Sequence, residues 1–268
     1  MLKQLFKQWA GSAASAAGPL TLGGVPLQWA QESLHLLLAG STGTGKTMAV
    51  SELLDGITER GDRAVIVDPN GAYASQFFES GDVILNPFDR RSPGWSPFSE
   101  VRKPYDFDKV AKSIVPDGHG PDAAWHFYAQ TLVAEVMRAL MREGRASTPE
   151  LVQALTAWSA EQLAQLVAGT AAAGLFDREA SRALASTRFV VASHLKPFEF
   201  LKPGDFSLRC WLEDEGGGRR IFITWREDMT SSLAPLIAAW VDVVCTAVLS
   251  LPPSADRRLW LLLDELPS

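Results

Sequence analysis

The octet Gly40-Ser41-Thr42-Gly43-Thr44-Gly45-Lys46-Thr47 has the residue types and spacing that grip a polyphosphate. It matches G-x-x-x-x-G-K-[ST], in which glycines let the backbone curl until successive N–H groups point at phosphate oxygens. A following helix N-terminus adds its positive dipole end. Lys46 would reach the β- and γ-phosphates, and the Thr47 hydroxyl would hold Mg²⁺. Far downstream, Asp264 and Glu265 close the apolar run Leu259-Trp260-Leu261-Leu262-Leu263. An acid at a strand tip helps hold the metal that bridges the β- and γ-phosphates. The next acid can orient or deprotonate an attacking water. The chemistry expected is NTP hydrolysis: ATP on residues 40–47, Mg²⁺ on Thr47 and Asp264, with Lys46 and Glu265 as the catalytic pair. Paired acids here favour hydrolysis over small-molecule kinase chemistry.

Both halves of this constellation need strands behind them. Leu34-His35-Leu36-Leu37-Leu38-Ala39 is expected to be a buried strand feeding the loop, with Met48 to Arg60 as the helix after it. Ala64 to Val67 and Val83 to Leu85 read as short strands, stopped by Asp68-Pro69-Asn70-Gly71 and Asn86-Pro87-Phe88-Asp89. That alternation is the rhythm of a parallel sheet with helical crossovers. From Asp106 to Leu201 the pattern turns helical. Trp125, Tyr128, Leu132, Val136, Ala139 and Leu140 recur at three and four, and Ser147-Thr148-Pro149-Glu150 is a helix start. Sheet character returns at Arg220 to Trp225, followed by an apolar helix from Leu233 to Leu249 and the strand before Asp264. The fold expected is α/β, a parallel sheet with an all-helical insertion. Its boundaries are an N-terminal linker (1–19), a first nucleotide-domain part (20–104), the insertion (105–203) and a second part (204–268).

Composition narrows the class. The 268 residues are 47% hydrophobic and 21% charged with net charge −6, ordinary for a globular chain and contrary to a surface coated with nucleic-acid contacts. Cys210 and Cys245 lie in apolar stretches without metal-like spacing and read as buried free thiols. No stretch reaches about 18 uninterrupted apolar residues, so no membrane span is expected. Met1 to Gly18 reads as an amphipathic helix and linker rather than a signal peptide. His35 reads as a core histidine, and the tryptophans, among them Trp125, Trp158, Trp225, Trp240 and Trp260, as mostly core. Arg226 is weighed as a phosphate or neighbouring-subunit contact against a salt-bridged loop. Arg138, Arg142 and Arg145 cluster at a helix end, as a phosphate or protein-partner contact or, the favoured reading, a solvated terminus.

Taken together, Gly40 to Thr47, Arg60 to Arg63, Ile66 to Gly71, Ile84 to Asp89, Arg91 and Ser92, Trp95 to Phe98 with Glu100, Ile223 to Asp228 and Leu259 to Ser268 resemble the TraD-type coupling proteins. The resemblance spans about Leu20 to the end. It implies a RecA-like ATPase, interrupted by an all-α domain, that powers DNA or nucleoprotein transfer through a type IV secretion or conjugation channel. It also implies homo-hexamers working on DNA beside relaxosome and channel proteins, at the cytoplasmic face of the inner membrane, with membrane attachment through missing segments or partners. It assigns Lys46, Thr47, Asp264 and Glu265 to the nucleotide site. Ala72 stands where many members carry an acid after the Asp-Pro-x-Gly turn. In RecA-like sheets a strand after the Asp-Glu pair lies between that strand and the phosphate-loop strand, and this sequence stops before it. The chain is therefore expected to be the first part of a longer motor. The alternative is a non-catalytic remnant that binds nucleotide or partners. A plasmid-partitioning or pilus-assembly motor would leave Asn-Pro-Phe-Asp and Trp-Ser-Pro-Phe unexplained.

Overall fold

A computed structural model describes residues 18–41, 43–214, 216, 219–254 and 257–264. Thr42, Glu265 and the expected N-terminal helix lie outside these residues. The chain forms two compact units: 1–86 with 215–226 and 252–268, and 87–214 with 227–251.

The first unit is built on a parallel sheet. A small antiparallel hairpin, β1 (Thr21–Leu22) and β2 (Val25–Pro26), precedes helix α1 (Lys46–Arg60). Then come β3 (Arg63–Pro69), α2 (Ala72–Phe77), β4 (Val83–Leu85), β5 (Arg220–Trp225) and β6 (Leu259–Leu263). The order is β4-β5-β3-β6, all parallel, with Ala64 opposite Arg220 on one side and Trp260 on the other. β5 is buried along its whole length and β3 at every residue but its last, as strands covered on both faces must be. Leu53, Leu54 and Ile57 of α1 pack with Ile66, Ile84, Tyr73, Phe77 and Phe222. The spacing of the three α1 residues puts them on one face, which is why this helix docks as it does.

Arg220 locks this unit from inside. Its side chain is 2% exposed. The guanidinium donates to Asp82 Oδ2 (3.0 Å), Glu79 Oε2 (2.7 Å) and Thr58 Oγ1 (2.7 Å), and its backbone N–H to Asp82 Oδ1 (2.8 Å). One residue thus ties α1, the approach to β4 and the start of β5.

The apolar run 34–39 is not the buried strand expected from sequence. It is irregular and exposed, with Leu34 at 63% and Leu37 at 83%, and His35 is exposed with it. A strand exists through its ladder, and no described segment pairs with this run or with the outer edge of β6. Hydrophobicity and β-propensity alone therefore leave it uncommitted.

The second unit is helical: α3 (Asp106–Ile114), α4 (Ala123–Arg142), α5 (Thr148–Ala157), α6 (Ala160–Leu166), α7 (Ser181–Leu195), α8 (Leu208–Glu213) and α9 (Thr230–Ser250). Ser147 caps α5 by accepting from Glu150 N–H, with proline in the first turn. The sequence boundaries at 104/105 and 203/204 fall inside this unit. Phe88 packs its ring on Phe200 at 5.1 Å, Trp95 on Phe198 at 6.1 Å, and α9 lies against α3 and α8. Gly94 and Gly204 touch backbone to backbone; a Cβ on Gly94 would meet Pro203 O at 2.0 Å. Helix α9 is long and apolar enough to cross a membrane by length and composition. Its Leu233, Leu236, Trp240, Val243 and Val244 are buried in this unit.

Two buried acids organise the helices. Glu100, fully buried, accepts from Trp95 Nε1 (2.8 Å), Ser207 Oγ (3.0 Å) and the N–H groups of Leu208 (2.7 Å) and Arg209 (3.1 Å). It meets the otherwise orphaned donors at the start of α8. Asp106 accepts from Arg209 and from the N–H groups of Arg102 and Lys103. Burial alone would raise its pKa; these donors outweigh burial and hold it below the ordinary value. The cysteines are free, as expected, but not buried: Cys210 is exposed beside Arg102 and Cys245 is partly covered. Trp95, Trp211, Trp225 and Trp240 are core, whereas Trp29 is exposed and Trp125, Trp158 and Trp260 are partly covered.

Arg220→Ala should lower unfolding stability by about 3–5 kcal/mol in urea titrations, because buried Asp82 loses its counter-charge. Arg220→Met with Asp82→Leu should recover most of that loss. The pH dependence of Asp106 has a fixed sign. Its folded pKa is lowered from 3.8, so its contribution is present above that value and disappears as pH falls through the folded pKa. Asp106→Asn should therefore destabilise the protein at neutral pH and flatten the acid limb of the stability curve in thermal melts.

Candidate nucleotide site

The loop and α1 are joined by a backbone turn that side chains disfavour. Gly43 has φ +80° and Gly45 φ +90°, both left-handed, and Gly45 is the N-cap of α1. Glycine is the residue that takes this geometry without strain. Thr44 closes the loop on itself, donating from N–H (3.3 Å) and from Oγ1 (2.8 Å) to Ser41 O. Lys46 is the first helical residue, and its Nζ donates to Gly40 O (2.6 Å) and Ser41 O (3.0 Å). The ammonium is thus tethered over the loop rather than extended into solvent. Thr47 follows on the exposed first turn of α1.

The sheet delivers acids toward the same place. Val67 of β3 pairs with Leu263 of β6, so Asp68 and Asp264 leave neighbouring strand ends side by side. Asp264 N–H donates to Val67 O (3.2 Å). Asp68 is fully buried, and its carboxylate accepts from Tyr73 N–H (3.2 Å) and Ala74 N–H (2.7 Å). Burial raises its pKa; those N–H groups and that of Ala72 pull it back, and the Asp264 charge pushes it up again. Asn70 (φ +64°) and Gly71 (φ +69°) turn the chain sharply so that α2 starts over the tip of β3. Tyr73 on that helix is 1% exposed. Burial first, then the Asp264 charge, drives its pKa well above the ordinary value, and the Thr47 hydroxyl offsets part of that.

Of the residues nominated by sequence, Lys46 and Thr47 open α1, and Asp264 follows β6 with its N–H on Val67 O. Gly40, Ser41, Gly43, Thr44 and Gly45 form the loop before α1. Thr42 and Glu265 lie outside the described residues. Asp68 and Tyr73 were missed, because Asp68-Pro69-Asn70-Gly71 read only as a turn. The available signal was a carboxylate followed at four to six residues by the first turn of a helix, the spacing at which it can cap that turn. Of the basic cluster at 138–145, Arg138 is engaged by Asp108 and Glu135, and Arg145 by Glu143 and Glu150. Two of its three cations are thereby spoken for within the helical unit.

These residues fit a magnesium nucleotide. Left-handed glycines expose successive N–H groups, a lysine and a threonine begin the helix, and an acid stands beside a buried hydroxyl. A Cβ at Gly45 would meet no atom within 4 Å, so Gly45→Ala would act through backbone strain alone. Titration with a fluorescent ATP analogue should show about tenfold or more weaker binding, while global stability falls by only about 1–2 kcal/mol.

The model of the type IV secretion-system coupling protein DNA-binding domain matches residues 19–268. Coupling protein TraD of Escherichia coli (strain K12) is 28% identical over 259 residues, covering 93% of this chain and 36% of TraD. The unbound monoclinic form of the bacterial conjugative coupling protein TrwBdeltaN70 superposes with TM-score 0.87 at 45% identity, covering 96% of this chain and 61% of that one. Plasmid coupling protein TrwB with the non-hydrolysable ATP analogue ADPNP gives 0.88 at 45% identity, covering 97% and 63%. TrwB with ADP and Mg²⁺ gives 0.86 at 46%, covering 96% and 62%. The chain thus spans less than two thirds of each of these relatives, and its α/β fold with an all-helical insertion is theirs. Matched over residues 19–268, it belongs to the type IV secretion-system coupling protein DNA-binding domain family.

Proposed function

We propose that this chain is the ATP-binding part of a coupling-protein ATPase that powers DNA or nucleoprotein transfer through a type IV secretion or conjugation channel. The observation that carries this reading is the handover from left-handed Gly43 and Gly45 to Lys46 and Thr47 at the start of α1, with Asp264 held by Val67 O beside Asp68. Similarity to TrwB, whose structures include an ATP-analogue complex and one with ADP and Mg²⁺, supports the same ligands here.

Each residue then has a task. The N–H groups of Gly43 to Lys46 would cradle phosphate oxygens, reinforced by the dipole of α1. Lys46 would exchange its carbonyl partners on Gly40 and Ser41 for phosphate oxygens, gaining charge-assisted bonds in place of neutral ones. Thr47 and Asp264 would hold the metal, and Glu265 would orient the attacking water. Magnesium, when bound, neutralises charge developing between the β- and γ-phosphates. The partners that follow from the family are DNA, relaxosome proteins and the secretion channel. The working form is a homo-hexamer at the cytoplasmic face of the inner membrane, attached through other segments or partners. The exchange by Lys46 links binding to loop shape: a nucleotide that frees the ammonium also frees the Gly40 and Ser41 carbonyls.

ATP hydrolysis by the purified chain, with and without DNA, tests the reading. DNA-stimulated turnover lost in both Lys46→Ala and Glu265→Gln is the expected outcome. Nucleotide binding indifferent to Lys46→Ala would overturn it.

A further inference from the structure

Two histidines far apart in sequence meet within the helical unit. His126 lies in the first turns of α4 and His194 near the end of α7, and these two helices pack together. The rings approach edge to face, with centroids 5.6 Å apart and planes at 81°. Each ring is held by a main-chain carbonyl. His126 Nδ1 lies 2.7 Å from Pro116 O, and His194 Nδ1 lies 2.9 Å from Val190 O and 3.2 Å from Ser193 Oγ. A carbonyl only accepts, so in the neutral rings both Nδ1 atoms carry the proton. The lone pair of each ring is then on Nε2, and among the described residues neither Nε2 has a hydrogen-bond partner. Both residues are half-buried, within reach of an ion from solvent.

We infer that His126 and His194 form a site for a divalent transition ion that favours imidazole, Zn²⁺ or Cu²⁺, joining α4 to α7 through the two Nε2 atoms. The spacing suits such an ion. With an Nε2–metal bond of about 2.1 Å and the ring centre about 1.1 Å beyond it, two imidazoles on one tetrahedral ion have centroids about 5–6 Å apart. The observed 5.6 Å falls in that interval. Donation from Nδ1–H to a carbonyl is also the contact that fixes tautomer and ring orientation in metal-binding histidines. The loop before α4 grips His126 on two sides. Pro116 O holds Nδ1, and a Cβ on Gly118 would meet His126 Cδ2 at 2.7 Å, so a side chain there would push the loop off the ring. The carboxylate of that loop, Asp117, is engaged by Lys112 (2.6 Å) and Gln130 (3.0 Å). Among the described residues no third His, Cys, Asp or Glu joins the pair. The site thus offers two nitrogens, with water in the remaining positions. Nitrogen ligands without a carboxylate discriminate against Mg²⁺, which separates this site chemically from the nucleotide site. An ion there clamps two helices and stabilises the unit by mass action.

The test is Zn²⁺ binding to the metal-free 268-residue chain by titration calorimetry in excess Mg²⁺, beside His126→Gln, His194→Gln and His119→Gln, with melting curves for each. The expected result is one equivalent bound by the parent and by His119→Gln. Affinity should fall about tenfold or more in His126→Gln and in His194→Gln, because each removes one of two ligands. Zn²⁺ should raise the melting temperature of the parent and leave that of these two variants where it was. Cu²⁺ added to the parent should give an EPR spectrum split by two nitrogens. Equal Zn²⁺ affinity in the parent and both variants would place the ion elsewhere, for instance on Cys210, and overturn the inference. A parent that takes up no equivalent would overturn it as well. A variant that melts low without metal yet keeps the Zn²⁺-dependent rise would make the pair a packing contact only. Copper bound by one nitrogen or none in the parent would sink the site even where a variant fails to fold.

Discussion

Everything in the sheet unit hangs on β3. It is buried along nearly its whole length, so both of its edges and both of its faces must be satisfied by other parts of the chain. β5 and β6 supply the edges and α1 covers a face. The tip of β3 then carries Asp68, which can face inward only because the N–H groups of α2 meet it. Remove the pairing and the acids at 68 and 264 lose their common frame. The site is thus a by-product of strand register: Val67 opposite Leu263 is what sets the two carboxylates side by side.

Buried charge recurs in the fold and is compensated in different ways. Arg220 is matched by two carboxylates and a hydroxyl, a largely electrostatic solution. Glu100 has an indole, a hydroxyl and two backbone N–H groups at the start of a helix, and no cation among these partners. Asp68 has backbone N–H groups and a neighbouring acid, so its pKa moves up where that of Asp106, paired with Arg209, moves down. The contrast follows from what surrounds each carboxylate: a guanidinium favours the ion, whereas burial beside a second acid opposes it. Of these two acids Asp68 is the one whose ion is disfavoured, and it stands beside the end of β6.

Local signals in the sequence carried much of this. The glycines at 43 and 45, the β-branched run at 64–67, the apolar run at 259–263 and the Ser147-Thr148-Pro149 cap all mean the same thing in isolation as in the fold, because a turn, a run or a cap is decided within a few residues. Leu34 to Ala39 shows the limit. The same kind of run became an exposed irregular segment, since a strand needs a neighbour and no window along the sequence can see one. Asp68 and Tyr73 were hidden for a related reason: their meaning comes from how Asn70 and Gly71 bend the chain, and the turn was legible while its product was not. Helix α9 was readable as a helix, but its membership of the helical unit depends on α3 and α8, which lie elsewhere in the sequence. His35 and Cys210 looked buried because their neighbours in sequence are apolar, yet exposure is decided by neighbours in space.

The order in which the chain is made adds a constraint of its own. Ala64 emerges from the ribosome long before Arg220 and Trp260, the residues it must pair with. Most of the helical unit, residues 87–214, is synthesised in between and makes its contacts largely within itself. The sheet's middle strand therefore waits, apolar and unpaired, while a later part of the protein finishes first. Long-range parallel pairing is slow and leaves such strands open to misassociation. For a nascent chain of this design, the hazard is greatest during the interval when β3 exists without its partners, and chaperone dependence or lower growth temperature would act on that interval rather than on the finished fold.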